Sequence, residues 1–466
     1  MASEKTGSTA AAGGSGQPPL KRVIGPNLLL FFVVGDILGT GIYALTGTVA
    51  SKVGGALWVP FLLAFVVAFL TAFSYLELVG KYPRAAGAAL YTNRAFHIPF
   101  LTFMVAFAVM CSGITSASSA AQAFGGTYLK ESLSELSGSP IAVPATIIAI
   151  GFILLLALIN FRGVGESVKA NVVLTCIEVS GLLLIIGIGV WAVLQGNGEP
   201  GRLLEFNTAD QSALIAVTSA TSLAFFAMVG FEDSVNMAEE CKDPERIFPR
   251  AMLSGMAVAG GIYLLVAITS SLLLSPEELG GAGGGALLRV VEVGAPAFPL
   301  GIFAFVGLFA VTNSALINML MASRLVYGMA HERIIPGVFG VVHPLRRTPW
   351  VSILFTTVIA AVLVSTVDLA ILGGTTSLLL LVVFTIVNVA VLVLRREKVA
   401  HKHFRTPTFI PVLGAVTCAY LASPLTGRPP REYLVAGILL VVGLVLWGIN
   451  RLLVGKVEFD PAALRK

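Results

Sequence analysis

Apolar residues in this chain come in long blocks separated by short polar stretches, with neither strand alternation nor a narrow amphipathic stripe. A helix needs about 20 mostly apolar residues to cross a hydrocarbon core about 30 Å thick. Twelve runs meet that length, at 25–50, 55–79, 99–125, 140–161, 168–194, 212–237, 250–274, 297–327, 349–366, 369–394, 408–426 and 432–454. The eleventh is the weakest, because TPTFIPVLGAVTCAYLASP is interrupted by Pro407, Pro411 and Pro424. Within lipid a helix satisfies all its backbone groups inside one segment, so the pattern predicts an all-α integral membrane protein.

Two of the runs are interrupted. The first reads GDILGTGIYALTG, with Gly35, Gly39, Gly41 and Gly47 inside an apolar block. The sixth reads FFAMVGFEDSVNMAEE, where Phe231 alone separates Gly230 from Glu232 and Asp233. Small residues at this spacing also let two helices approach closely, and that reading competes for the first run taken alone. The pairing favours true breaks. Runs one and six are corresponding members of two five-helix halves, and matched interruptions of that kind point to a midplane binding site in a transporter. At the first break the amides of Thr40, Gly41 and Ile42 start a half-helix. Its N-terminus carries about half a positive charge and suits a carboxylate, and the Thr40 hydroxyl adds a donor.

Composition fits this picture. Of the 466 residues 56% are apolar and only 12% charged, with a mean hydropathy of +0.90, whereas soluble domains carry roughly 25% charged residues. That excludes an ordinary cytosolic enzyme, a disulfide scaffold and a disordered chain. The net charge of +5 comes without a dense basic stripe, so no nucleic-acid partner is expected. Lys and Arg instead follow topology: with the N-terminus inside, only Lys52, Lys130, Arg202, Arg289, Arg428 and Arg431 of the 30 basic residues fall outside. The bias puts both ends in the cytoplasm and the protein in the cell membrane. The first twenty residues read as a flexible cytoplasmic tail, not a signal peptide. Cys111, Cys176, Cys241 and Cys418 form no metal or disulfide spacing. His401 and His403, an HxH pair, read as solvated loop, and the charged EECKDPERIFPR stretch as a solvated helix end and loop. No metal site, catalytic residue or cofactor is expected.

Five acidic residues fall within the runs: Asp36, Glu77, Glu178, Glu232 and Asp233. A carboxylate at membrane depth is costly unless paired, protonated or wet, so each is a functional candidate. Glu77 reads as structural, near enough to the inner end to meet Lys81 or Arg84. Asp36 and Asp233 flank the breaks, either as contacts to a substrate amine or as local caps. Glu178, Glu232, Asp36 and Asp233 are the proton-coupling candidates.

GTGIYALTG (39–47), YLELVGKYPRAAGAALY (75–91) and FFAMVGFEDSVNMAEECKDPERIFPRAM (225–252) resemble signatures of the amino acid–polyamine–organocation transporter superfamily, nearest its cationic-amino-acid-transporter-like bacterial permeases. The resemblance covers about residues 22–400. It implies twelve transmembrane helices in a five-plus-five inverted-repeat fold: helices 1–5 in 21–194, helices 6–10 in 195–396, then helices 11–12 and a cytoplasmic C-terminus in 397–466. Helices 1 and 6 are then discontinuous, with alternating access around them. The same correspondence puts carbonyls for a substrate ammonium at Ile37, Phe226 and Val229, beside Gly39 and Gly230. It makes Phe226 an aromatic gate, with Phe231 nearby. The side-chain pocket then falls to runs three, six, eight and ten, where Ser112, Thr115, Asn313 and Thr376 are candidates. Glu232 matches a residue that takes part in gating and proton sensing in some relatives. Glu178 departs from the pattern, standing where some proton-coupled relatives carry a lysine. A carboxylate there keeps proton exchange in play, with a sodium ion near Glu178 as the rival.

The function expected is a secondary-active, proton-coupled amino acid permease favouring cationic amino acids. A small-molecule amino acid and the lipid bilayer are its partners, with no obligate protein partner. An amine or polyamine importer, an exchanger of the same superfamily and a non-transporting nutrient sensor are the alternatives. A membrane enzyme finds no support, since the chain has no HExxH, GxSxG or GxxxxGK[ST] motif.

Overall fold

A computed structural model describes residues 24–83, 87–139, 142–163, 167–209, 211–397, 399 and 401–454, so the expected tail at 1–20 lies outside the described residues. The first apolar run gives two helices, α1 (Pro26–Ile37) and α2 (Thr40–Val53). There follow α3 (Trp58–Lys81), the short α4 (Gly87–Phe96), and α5 (Pro99–Ala123), which continues through a π turn into α6 (Leu129–Ser137). Next come α7 (Ala145–Arg162), α8 (Ser167–Leu194) and α9 (Ala213–Ala224). After α9 the chain tightens into 3-10 turns at Phe225–Met228 and Asp233–Glu240. The rest is α10 (Pro244–Leu273), α11 (Pro276–Ala282), α12 (Ala286–Gly294), α13 (Leu300–His331), α14 (Trp350–Thr366), α15 (Leu369–Leu394), α16 (Phe409–Ala422) and α17 (Pro430–Val454). Among the described residues the one β feature is an isolated parallel bridge between Ile24 and Cys241.

Among the described residues ten segments are long and apolar enough to cross a membrane, while α14 and α16 are shorter apolar helices. Two helices outrun their apolar blocks. The third extends past residue 125 to Ser137 through the polar LKESLSELS turn. α10 begins at Pro244 rather than near 250, because a proline at the first turn followed by Glu245 is a good helix start that hydropathy does not register. That start makes EECKDPERIFPR a helix end and loop as expected, with Lys242, Asp243, Glu245, Arg246 and Arg250 exposed, while Cys241 is buried and bridged to Ile24.

Contacts sort the helix ends into two groups. At one end Ala56 bonds Glu205, Glu199 bonds Leu272 and Arg431 pairs with Asp368. At the other Lys242 bonds Ile24, Thr348 bonds Phe161 and Asn450 bonds Arg333. The first group is called outer below, after the charge asymmetry. In the α5 and α9 segments 78% of the apolar window is buried, against 28% in α7 and α17. The interrupted segment and α5 are therefore central, and α7 and α17 turn apolar side chains outward.

Glu77 is structural, but its partner is Arg395, not Lys81. The Arg395 fork donates to both carboxylate oxygens at 2.8 and 2.7 Å, and the Thr406 amide adds a bond at 2.9 Å. A planar guanidinium satisfies two buried oxygens at once, which an ammonium does not. Lys81 donates instead to the carbonyls of Leu394 and Glu397, and Arg84 lies outside the described residues. The HxH pair lies in loop with His401 exposed, as expected, and His401 Nε2 also rests 3.0 Å from the Gly80 carbonyl at the end of α3.

Candidate functional site at two meeting helix breaks

α1 ends at Ile37 with Leu38 extended (φ −74°, ψ 94°), and α2 restarts at Thr40 behind Gly39 (φ −154°, ψ −144°). The first-turn amides of α2 have no helical partner of their own. The sixth segment breaks after its 3-10 turn, where Val229 is extended (ψ 150°) and Gly230 takes φ +122°. L-residues rarely adopt that value. The two breaks touch. A Cβ on Gly230 would stand 2.6 Å from the Asp36 carbonyl oxygen and 3.1 Å from the Ile37 nitrogen. One on Gly41 would overlap the Ala227 backbone. Gly39 faces the side chain of Ser314 on α13.

Around this contact lie four carboxyls, none ion-paired with Lys or Arg among the described residues. Asp36 is within electrostatic range of Asp233 and Glu232, and Glu178 is within range of Asp36. Glu232 Oε2 accepts the Gly230 amide at 2.9 Å, so the second break is capped by its own chain. Glu178, fully buried on α8, accepts from Asn313 Nδ2 at 3.2 Å, while its Oε2 has no partner. The buried Asp36 Oδ2 and Thr40 Oγ1 are likewise unsatisfied. Unpaired polar atoms at this depth are costly and mark a place where a ligand, ion or water supplies the missing bonds. At the second break is a cavity of about 20 Å³ lined by Ser112, Val229, Glu232, Asp233, Asn318 and Thr376, among others. It is large enough for about one water molecule, so the site is nearly closed in this conformation.

The amino acid permease family model matches residues 27–448, almost the whole chain. The chain belongs to that family. This permease is 28% identical to a methylthioribose transporter of Bacillus subtilis, over 88% of this chain and 89% of the relative. It is 26% identical to the branched-chain amino acid permease BcaP of the same organism, over 93% and 94% of the two chains. It is also 26% identical to a low-affinity putrescine importer of Escherichia coli, over 80% and 82%. The permease is thus a multi-pass membrane transporter of the amino acid permease type, not an enzyme.

In the permease the residues singled out from sequence fall into three groups. Gly39, Thr40, Gly41 and Ile42 sit at the first break, Val229 and Gly230 at the second, and Ser112, Thr376, Glu232 and Asp233 line the cavity. A second group stands just behind. Thr115 shares a 2.7 Å hydrogen bond with Thr376, and Phe226 and Leu45 close together over Gly373. Asn313 does not line the cavity but holds Glu178, whose carbonyl in turn accepts from Tyr43. The third group is occupied or removed. The Ile37 carbonyl already accepts from the Tyr263 hydroxyl at 2.5 Å, and the Phe226 carbonyl accepts from the Val229 amide. Phe231 is fully buried with its ring against Tyr75 and Phe384.

Sequence reasoning missed Tyr263, Asn318 and Arg428. Tyr263 comes from α10 to cap a carbonyl that the break exposes, a pairing 226 residues apart in the chain that no local pattern signals. Arg428 follows a Pro/Gly-rich turn and reads as a loop charge, yet it is 5% exposed.

Proposed function

We propose that the chain is a secondary-active, proton-coupled amino acid permease of the plasma membrane, favouring cationic amino acids and working by alternating access around the two breaks. The observation that carries this reading is the set of four carboxyls at the breaks with no basic partner among the described residues. Such a cluster at membrane depth calls for positive charge, and a substrate cation or a proton supplies it. The unsatisfied Thr40 hydroxyl and the first amides of α2 offer donors to a substrate carboxylate. The carboxyls of Asp36, Glu232 and Asp233 take the amines. Glu178, set apart on α8 with one free oxygen, is the proton carrier.

In this reading all twelve apolar helices span the bilayer, with α14 and α16 the shortest, as two inverted five-helix halves plus α16 and α17. Both ends are cytoplasmic, which fits the segregation of helix ends into two groups. Outer closure comes from the α11–α12 segment. Gly47 lies so near the carbonyls of Leu279 and Gly283 that no side chain would fit there. The substrate site is therefore shut on the outer side and only narrowly open within.

A carboxylate-free diamine is the second reading. It is favoured by one fact: the Gly230 amide, a natural carboxylate donor, is taken by Glu232. One assay separates the two. Proteoliposomes with an imposed inward proton gradient should accumulate radiolabelled arginine or lysine, competed by ornithine and not by putrescine. Competition by putrescine would support the diamine reading, and no uptake of any amino acid or amine would reject both.

A further inference from the structure

The turn joining α16 to α17 buries a charged pair. Arg428 and Glu432 have side chains 1% and 3% exposed and meet at 2.6 Å. Besides Glu432, the guanidinium donates to the Leu421 carbonyl at 2.7 Å, the Gly374 carbonyl at 3.0 Å, the Ser222 carbonyl at 3.2 Å and Ser377 Oγ at 2.9 Å. All five of its donors are thereby used, and they reach α16, α15, α9 and α17. The Ser377 hydroxyl also donates to the Ser222 carbonyl at 2.5 Å, closing a triangle with Arg428. Gly374 has no room for a side chain, because the Glu432 carboxylate lies where its Cβ would project.

The places held are not arbitrary. Ser222 is on α9, just before the 3-10 turn that leads into the second break, and Ser377 follows the cavity residue Thr376. Lys52, from the outer end of α2, donates to Ser219 Oγ at 3.3 Å, and that hydroxyl donates to the Gly427 carbonyl at 3.3 Å. The outer halves of both broken segments thus converge on one turn. Burying an ion pair is seldom the cheapest route to stability, and well-packed apolar residues do as well. A fully satisfied fork on three carbonyls does something those residues do not: it fixes α9 against α15 in one register.

We propose that Arg428 and Glu432 are the positioning latch of the outer side, holding the outer halves of the broken segments against α15 while that side is shut. This rests on the alternating-access reading above. Opening outward then requires the fork to release Ser222 or Ser377, so the pair sets how often the outer side opens.

The test uses Leu45→Cys as reporter in a Cys176→Ala background. Leu45 is 1% exposed and packs with Phe226 over Gly373, on the outer side of the first break. A membrane-impermeant maleimide added from outside is read by peptide mapping, with the buried native Cys111 as internal control. Glu432→Gln and Ser377→Ala, both milder than removing the guanidinium, should each speed labelling at position 45 about tenfold, the factor for one charge-assisted hydrogen bond lost from the closed state. Cys111 labelling should stay unchanged. Labelling at the parental rate in both variants overturns the latch, as does labelling of Cys111 that rises in step, which shows general loosening. The assay needs no solute, so its failure is distinct from a failure to transport arginine.

Discussion

Glu178 is the residue on which the energetics of the site turn. It is fully buried, with one oxygen held by Asn313 and one with no partner. If its task is to carry the coupling proton, Glu178→Gln keeps the Asn313 contact and the volume but has no proton to exchange. We expect gradient-driven accumulation to be lost while arginine–arginine counterflow persists at near-parental rate. Loss of both would make Glu178 a structural or substrate-binding group instead. Such residues were legible in the sequence because each acid is an anomaly inside an apolar run. Tyr263 and Arg428 were not, because a tyrosine in an apolar helix and an arginine after a Pro/Gly-rich turn are ordinary until the groups they bond are known.

The elements that matter are the two broken segments, and glycine explains both where they break and how they meet. Gly230 needs its φ of +122° to turn the chain, and its missing side chain lets the Asp36 carbonyl approach. Gly230→Ala therefore adds strain of about 1–3 kcal/mol from the backbone alone, and steric overlap besides. A lowered melting temperature with uptake reduced more than tenfold is the expected result, by thermal shift and proteoliposome flux. Unchanged stability and flux would mean the breaks do not need to touch. The glycine pattern located the breaks because helical propensity is a local property. It did not locate helix ends such as those of α6 and α10, where polar turns extend the helix beyond the apolar block.

For the whole molecule, long-range pairs tie the helix ends and decide which surfaces can move. Glu77 and Arg395 are 318 residues apart in sequence, and their bidentate bond locks the inner end of α3 to α15. Arg428 does the corresponding work on the other side, tying the end of α9 next to the second break to α15. Neither partner could be chosen from sequence, where charge near a span end is satisfied equally well by several neighbours, as with Lys81 and Glu77. Between these two ties lies the cavity at the second break, too small at about 20 Å³ to hold a substrate without some movement. The most direct measurement is a structure of the purified protein saturated with arginine. The account predicts density at the contact of the two breaks, with the carboxylate at the first turn of α2 and positive groups toward Asp36, Glu232 and Asp233. Arginine bound elsewhere, or both breaks closed and empty at saturation, would contradict it.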